Sequence, residues 1–405
     1  MRFLSYFCKL NFVDMKKALI ALAIGGFGIG MTEFVIMGIL PDVAGDLGVS
    51  IPKAGHFIAA YALGVVVGAP ILTGLAGKWP SHKILMLLMI WFTIFNTLSA
   101  FANSYETLLI ARFLSGLPHG AFFGIGAVVA AKLAKPGKSA QAISMMFTGL
   151  TVANVIGVPL GTYFGQHFSW NVSFLMVGFV GVLAVLSIIF WMPDLPKSSS
   201  NGLRKDLKVF KRLELWMVVL LTTIGTGGFF AWYSYIAPLI TNVAGHPESM
   251  VSYAMIIAGI GMVVGNLLGG KLAELFSPIH AVLISLIAMV FVLIANTYLA
   301  DDKTAILVLT FIISMVAFTL ATPIQLAMIH TAKGSEMLGS SMNQSAFNMG
   351  NAFGAFFAGI PIAMGFGFTS ATLVGAVMAG SGVIIAIVII MMRKKREHLV
   401  VPGEF

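Results

Sequence analysis

Apolar residues fall into twelve long stretches along this chain, each closed by a short polar or glycine- and proline-bearing segment. They lie at roughly 17–40, 54–76, 82–101, 105–133, 139–165, 170–193, 214–240, 249–274, 278–299, 303–331, 336–363 and 369–392, with ends placed to within about 2 to 4 residues. At 1.5 Å per residue, each is long enough to cross a hydrocarbon core of about 30 Å. Lipid offers the backbone no hydrogen-bond partner, so runs of this length predict helices. The expected fold class is an all-α membrane protein with 12 transmembrane helices in two six-helix bundles.

The division into two comes from the one long polar connection, which carries Ser198-Ser199-Ser200-Asn201-Gly202 at its middle. It predicts an N-terminal bundle over 15–193, a linker over 194–213 and a C-terminal bundle over 214–396. An ungapped offset of 197 sets Gly28 on Gly225, Gly30 on Gly227 and Pro41 on Pro238. It also sets Gly64-Val65-Val66-Val67-Gly68 on Gly261-Met262-Val263-Val264-Gly265, and Asn154 and Gly157 on Asn351 and Gly354. The matches fall on residues that set kinks and close backbone approach, as an internal repeat would. Parallel repeats of this kind place a solute site near the midplane, between the halves.

Composition agrees: 59% of residues are hydrophobic and 10% charged, with mean hydropathy +0.97. The single cysteine, Cys8, excludes an internal disulfide framework. A net charge of +9 could suggest nucleic acid, but the basic residues sit in short loops beside apolar spans. Lys16, Lys17, Lys78, Lys83, Lys132, Lys135, Lys138, the linker from Lys197 to Arg212, Lys271, Lys333 and Arg393-Lys394-Lys395-Arg396 all fall on one side. The opposite loops hold Lys53 and Lys303 among Asp42, Asp46, Glu106, Glu248, Asp301 and Asp302. The positive-inside rule makes the basic side, with both termini, cytoplasmic. The first run reads as a retained helix, with residues 1–14 ahead of Met15 as a cytoplasmic extension or an upstream start.

Two charged residues lie well inside the spans, Glu33 and Arg112. Counting from Pro41 and Tyr105, they are roughly 12 Å and roughly 10 Å deep, so they can share one level. An acid in a membrane helix costs about 2.5–3.5 kcal/mol on insertion scales and marks a partner, a wet cavity or a proton path. Glu33 is thus a proton-coupling candidate, against a static pair with Arg112 or a wet vestibule lining. His119, two turns below Arg112, can relay protons or bond a solute, against a packing role. Asn154, Gln325, Gln344, Asn348 and Asn351, with Trp232 and Tyr235 as stacking surfaces, are substrate-binding candidates, against plain interhelical hydrogen bonding. Gly25 to Gly30 follows no strand, so the dinucleotide reading fails, and neither a metal-ligand cluster nor an activated nucleophile is present. No cofactor and no enzyme activity are expected.

Several of these stretches resemble one family. Leu108-Leu109-Ile110-Ala111-Arg112-Phe113-Leu114-Ser115-Gly116, with Pro118-His119-Gly120 after it, resembles the fourth-helix motif of major facilitator superfamily transporters. Gly149-Leu150-Thr151-Val152-Ala153-Asn154-Val155-Ile156-Gly157-Val158-Pro159-Leu160-Gly161 resembles their fifth-helix antiporter motif. The chain is most similar to the twelve-helix drug:proton antiporter branch and to its sugar-efflux, arabinose-efflux-like members, over about Met15 to Arg396. The resemblance implies proton coupling at Arg112, and exchange supported by Gly149, Gly157, Pro159 and Gly161. In the loop after the second span the family's acid is replaced by Gly77, with Lys78 as the surviving charge, while the second copy keeps an acid at Glu274. A cytoplasmic latch between the halves would then depend on Glu274. Trp170-Asn171 stands where the family commonly has Trp-Arg.

The resemblance implies a monomer of the bacterial inner membrane that exports a small sugar or drug-like solute by proton antiport and alternating access. Its partners would be protons, the solute and the lipid bilayer, without nucleic acid. A sugar facilitator or proton symporter, and a non-transporting receptor or scaffold on the same fold, are the alternatives.

Overall fold

The computed structural model describes residues 12–49, 51–54, 56–76, 79–194, 207–247 and 249–400. Gly77 and Lys78, expected at the latch, lie outside the described residues, as does most of the linker. The long helices are α1 Phe12–Gly38, α2 His56–Ala76, α3 Ser81–Ser99, α4 Tyr105–Leu133, α5 Ser139–His167 and α6 Trp170–Trp191. They continue as α7 Leu213–Tyr233, α8 Ser249–Leu275, α9 Pro278–Leu299, α10 Lys303–Thr331, α11 Glu336–Ala363 and α12 Ser370–Val400. Eleven of them are apolar enough throughout to count as spans by composition. The other, α11, is equally long but devotes a face to Ser340, Ser341, Asn343, Gln344 and Asn348, all buried against protein.

The expected spans and the observed helices agree closely, apart from one early end and two extensions, α1 beginning at Phe12 and α12 running to Val400. The run expected over 214–240 stops as a regular helix at Tyr233, and a short turn Ile236–Pro238 and a wider π-type turn Leu239–Val243 follow. Pro238 cannot donate a backbone hydrogen bond to continue the α-helical ladder, which accounts for a break upstream of it. A second π-type turn, Ala153–Gly157, sits inside α5, one residue before the Val158-Pro159 step. Two helices have chemically explicit starts. Ser104 and Thr107 form a reciprocal capping box on α4, and the Asp302 side chain accepts from the Thr304 and Ala305 N–H groups on α10.

Helix pairings repeat between the halves. α1 packs on α5 and α6, α2 on α4 and α3 on α6; correspondingly α7 packs on α11 and α12, α8 on α10 and α9 on α12. Glycine sets two of these contacts. A Cβ at Gly64 or Gly68 would run into the Phe113 or Leu117 carbonyl oxygen of α4, and one at Gly261 or Gly265 into those of Phe311 or Met315 of α10. Thus the two glycine pairs matched in sequence do the same job in both halves, bringing a pair of helices into backbone contact.

The halves meet along α2 and α4 against α11, and α5 against α8. The hydrogen bonds across this seam include a set toward the basic end. Ser144 Oγ donates to the Asn266 carbonyl and Asn266 Nδ2 donates back to the Ser144 carbonyl, both at 2.8 Å. The Thr73 and Ser341 hydroxyls are 2.6 Å apart. At the rim, Glu274 Oε2 pairs with Lys138 Nζ at 3.1 Å, while its Oε1 accepts the Gln141 N–H in the first turn of α5 at 3.1 Å. A carboxylate there also meets the positive end of the α5 dipole.

Adding a side chain where two helix backbones touch forces them apart, at about 1–3 kcal/mol. Gly68→Val and Gly265→Val are therefore expected to lower the Tm of the purified protein, each in its own half. Gly380→Ala, whose new Cβ would have its nearest neighbour 3.9 Å away, is expected to leave the Tm unchanged in the same thermal scan.

Candidate functional site

The site is built around Arg112, whose side chain has no exposed surface. Its position follows from the α2–α4 contact just described. With Gly64 on Phe113, and Gly116 against the Tyr61 carbonyl, the Tyr61 ring lies over the guanidinium with its centroid 4.4 Å from Cζ. Phe174 of α6 covers another side at 5.6 Å. A cation over aromatic faces gains about 0.5–2 kcal/mol, more when water is excluded. The guanidinium donates to two acceptors on one residue of α1: Nη1 to Thr32 Oγ1 at 2.9 Å and Nη2 to the Thr32 carbonyl at 3.2 Å. Thr32 Oγ1 in turn donates to Asn96 Oδ1 at 2.5 Å, and Asn96 Nδ2 anchors on the Phe92 carbonyl within α3. Arg112 Nε is buried with no partner.

Glu33 is the next residue on α1. It is 7% exposed and, among the described residues, forms neither a hydrogen bond nor an ion pair. The direct pairing weighed from sequence is therefore not formed: Nη1 and Nη2 of Arg112 donate to Thr32, the residue before Glu33 on α1. The reason is azimuth. Successive helical residues point about 100° apart, so facing Arg112 with Thr32 turns Glu33 aside. His119 joins the cluster through Tyr61, whose hydroxyl is 3.1 Å from His119 Nδ1, and its ring also packs near Phe123.

Thr32, Tyr61, Asn96 and Phe174 were not singled out by sequence. For Tyr61 a signal existed: it lies one turn before Gly64, on the glycine face that must meet α4.

A proline at 118 leaves the Leu114 carbonyl without its helical donor. The indole N–H of Trp91 on α3 takes that carbonyl at 2.8 Å. The turn of α4 between Arg112 and His119 is thus held from the side.

The glycines expected to support exchange, Gly149, Gly157 and Gly161, lie between α5 and α1. A Cβ at Gly149 would meet the Ala23 carbonyl, at Gly157 the Phe27 ring, and at Gly161 the Val35 and Met31 side chains. With the π-type turn at 153–157 and Pro159 beginning the next regular turn, this seam allows α5 to lie directly on the helix that carries Glu33.

The neutral candidates fall into two groups. Gln325, fully buried, accepts from Asn343 Nδ2 at 2.6 Å and Gln344 Nε2 at 3.1 Å, and donates to the Ser340 hydroxyl. Thr222 of α7 joins through Asn343 Oδ1. Asn154 and Asn348 donate to carbonyls of their own helices, those of Leu150 and Gln344. These amides tie helices together in this conformation. Trp232 has no exposed surface, and its indole N–H is unpartnered. Tyr235 donates to the Ala355 carbonyl at 3.1 Å. Asn351, half-buried, makes no hydrogen bond among the described residues.

Comparison with known proteins gives concordant results. The family model described as Major Facilitator Superfamily matches residues 22–343. The inner membrane transport protein YdhP of Escherichia coli (strain K12) is 38% identical over 386 residues, 95% of this chain and 98% of YdhP. A chloramphenicol resistance protein of Streptomyces lividans is 28% identical over 381 residues, 93% of this chain and 95% of that protein. Among solved structures, the fucose:proton symporter FucP of E. coli superposes with TM-score 0.74 at 14% identity, covering 92% of this chain and 98% of FucP. At that identity the likeness concerns the fold.

If the Thr32 hydroxyl holds the buried cation, Thr32→Val, which keeps its shape, is expected to cost about 1.5–3 kcal/mol, the range for a hydrogen bond to a charged group. Thr32→Ser is expected to restore most of that loss. Thermal unfolding of the two variants side by side measures it.

Proposed function

Because the chain belongs to the major facilitator superfamily, a family of membrane transporters rather than enzymes, we propose that it exports a small sugar or drug-like solute across the inner membrane in exchange for protons. The observation that carries this reading is Glu33, a carboxylate enclosed in the N-terminal bundle with no hydrogen-bond or ion-pair partner among the described residues, one residue from the threonine that occupies Arg112. A group so placed gains a neutralising proton at little structural cost, and loses it where Arg112 turns toward it. The printed name of the chloramphenicol resistance relative supports export, and that of YdhP supports the inner membrane.

In this reading the basic end, with both termini, faces the cytoplasm. The seam bonded at Thr73–Ser341, Ser144–Asn266 and Lys138–Glu274 is then closed toward the cytoplasm, and the state is outward-facing. Glu33 takes a proton from the outer side. The bundles rock as a monomer about α2–α11 and α5–α8, opening that seam and exposing Glu33 to the cytoplasm. The proton leaves when the solute binds between the halves, and the return step carries the solute out. Gln344, whose Cβ lies against Gly120 of α4 across the seam, and Asn351, farther along α11, are the amides proposed to meet it. Glu274 acts as the latch, because rocking must remove it from Lys138 and from the start of α5.

Glu33→Gln keeps the shape and removes the titration. In proteoliposomes it is expected to abolish export driven by a pH gradient, while exchange of labelled for unlabelled solute continues. Gradient-driven export by Glu33→Gln at the wild-type rate overturns the proton role. Solute flow in the same direction as protons reverses the assignment to symport.

A further inference from the structure

A half-open cavity of about 460 Å³ lies at the basic end of the C-terminal bundle, where α7 begins and α10 ends. Lys211 and Arg212 line it from the chain entering α7, Glu214 from the first turn of α7, His330 from the last turn of α10, and Lys333 from the loop that follows. The one acid is answered from α12: Arg393 Nε donates to Glu214 Oε1 at 2.8 Å, and Arg393 Nη2 donates to Thr331 Oγ1 at 3.0 Å. Arg212 Nη1 donates to the Thr331 carbonyl at 3.0 Å and keeps its other donors. Lys211 and Lys333 are exposed and, among the described residues, take part in no hydrogen bond or ion pair. Glu336, the next acid along the chain, turns instead to the Gly334 N–H.

Among the described residues, three cations thus converge on one concavity whose single carboxylate is already engaged. Like charges held together repel unless an anion lies between them. A fork of guanidinium donors beside two ammonium groups matches a phosphate, which accepts several charge-assisted hydrogen bonds at once. The volume is in the range of sites for small ligands, larger than inorganic phosphate needs, so substituents on the phosphate can be housed. Leu213, in the lining, is 62% exposed, and Trp216, one turn into α7, is 47% exposed with its indole N–H fixed on the Phe210 carbonyl. The cationic cavity therefore opens beside an apolar flank at the membrane boundary.

We propose that this cavity binds the phosphate group of an anionic ligand through Lys211, Arg212 and Lys333. Two sources share that chemistry: the headgroup of an anionic phospholipid in the adjacent leaflet, and a soluble phosphate compound. Basic pockets of this kind between membrane helices are sites for anionic headgroups. A ligand there ties the end of the linker to α7, α10 and α12. The inference stands on the cavity and its charges and does not depend on the transported solute or on proton coupling.

The test is thermal unfolding of the full chain in a neutral detergent, titrated separately with phosphatidylglycerol, phosphatidylcholine and inorganic phosphate. Lys211→Gln/Lys333→Gln removes two cations from the cavity and leaves the Arg212 bond to Thr331 intact. Lys83→Gln/Lys271→Gln removes two exposed charges of the same end elsewhere. Phosphatidylglycerol is expected to raise the Tm of the wild type and of the Lys83/Lys271 variant alike. The Lys211/Lys333 variant is expected to need about 10- to 30-fold more lipid for the same rise, each basic residue near the surface contributing about a kcal/mol. Phosphatidylcholine is expected to do nothing. If inorganic phosphate reproduces the rise with the same variant dependence, the site stands and its ligand is soluble. Equal shifts for the two double variants, or no response to either phosphatidylglycerol or phosphate, overturn the proposal.

Discussion

A guanidinium without exposed surface, inside a membrane helix, is the constraint around which the N-terminal bundle is arranged. Its insertion is costly enough that its surroundings must answer it. Arg112 is answered by Thr32 from α1, by the Tyr61 face from α2 and by Phe174 from α6, and Asn96 of α3 orients the threonine. One buried charge therefore fixes the relative placement of α1, α2, α3, α4 and α6. Glycine makes this possible, since the Tyr61 ring reaches over the guanidinium only because Gly64 and Gly116 let α2 and α4 touch. With Nε still unpartnered, the cation is held but not saturated, which leaves capacity for a carboxylate that turns toward it.

The backbone imposes a second constraint. Pro70 and Pro118 free the carbonyls of Val66 and Leu114, and an unpaired carbonyl in a bilayer is costly. Each finds a side-chain donor on another helix: Trp91 Nε1 for Leu114, within the same bundle, and Ser345 Oγ for Val66 at 3.1 Å, from the opposite bundle. The difference has mechanical meaning. The first bond stays made whatever the halves do, so the turn between Arg112 and His119 is permanently braced. The second crosses the seam, so any motion that parted α11 from α2 would have to break it, and a hydroxyl bond in a membrane is worth only about 0.6 kcal/mol on average. The seam is stitched by bonds weak enough to be exchanged for water.

Helix positions were legible because each span must bury its own backbone, and that needs a run of fixed length whatever the neighbours. Glu33 and Arg112 were legible because a charge inside such a run is rare. Their contact was not, since depth along two helices says nothing about rotation around them, and one step of 100° separates Thr32 from Glu33. The amides of α10 and α11 illustrate a different limit. Gln325, Asn343 and Gln344 read equally as solute ligands or as interhelical ties, and only the three-dimensional arrangement shows that they satisfy one another. The early end of α7 was hidden for a third reason: its apolar pattern continues past the break as far as Ile240, so only Pro238 marked it.

The duplication extends to scaffold and stops at chemistry. Where Gly64 and Gly68 rest on Phe113 and Leu117, Gly261 and Gly265 rest on Phe311 and Met315, which puts Thr310 in the place of Arg112. The residue in the place of Thr32 is Phe229, packed against Phe318 and Tyr233. Asn296-Thr297 of α9 repeats Asn96-Thr97 of α3, but with no counterpart of Thr32 to engage, both amide atoms of Asn296 and the Thr310 hydroxyl are buried without partners. The C-terminal bundle keeps the outline of the polar site and none of its charge. Among the described residues, Glu33 and Arg112 are the buried carboxylate and the buried guanidinium, and both lie on one side of the seam, so the duplication repeats the helix contacts and not the charges.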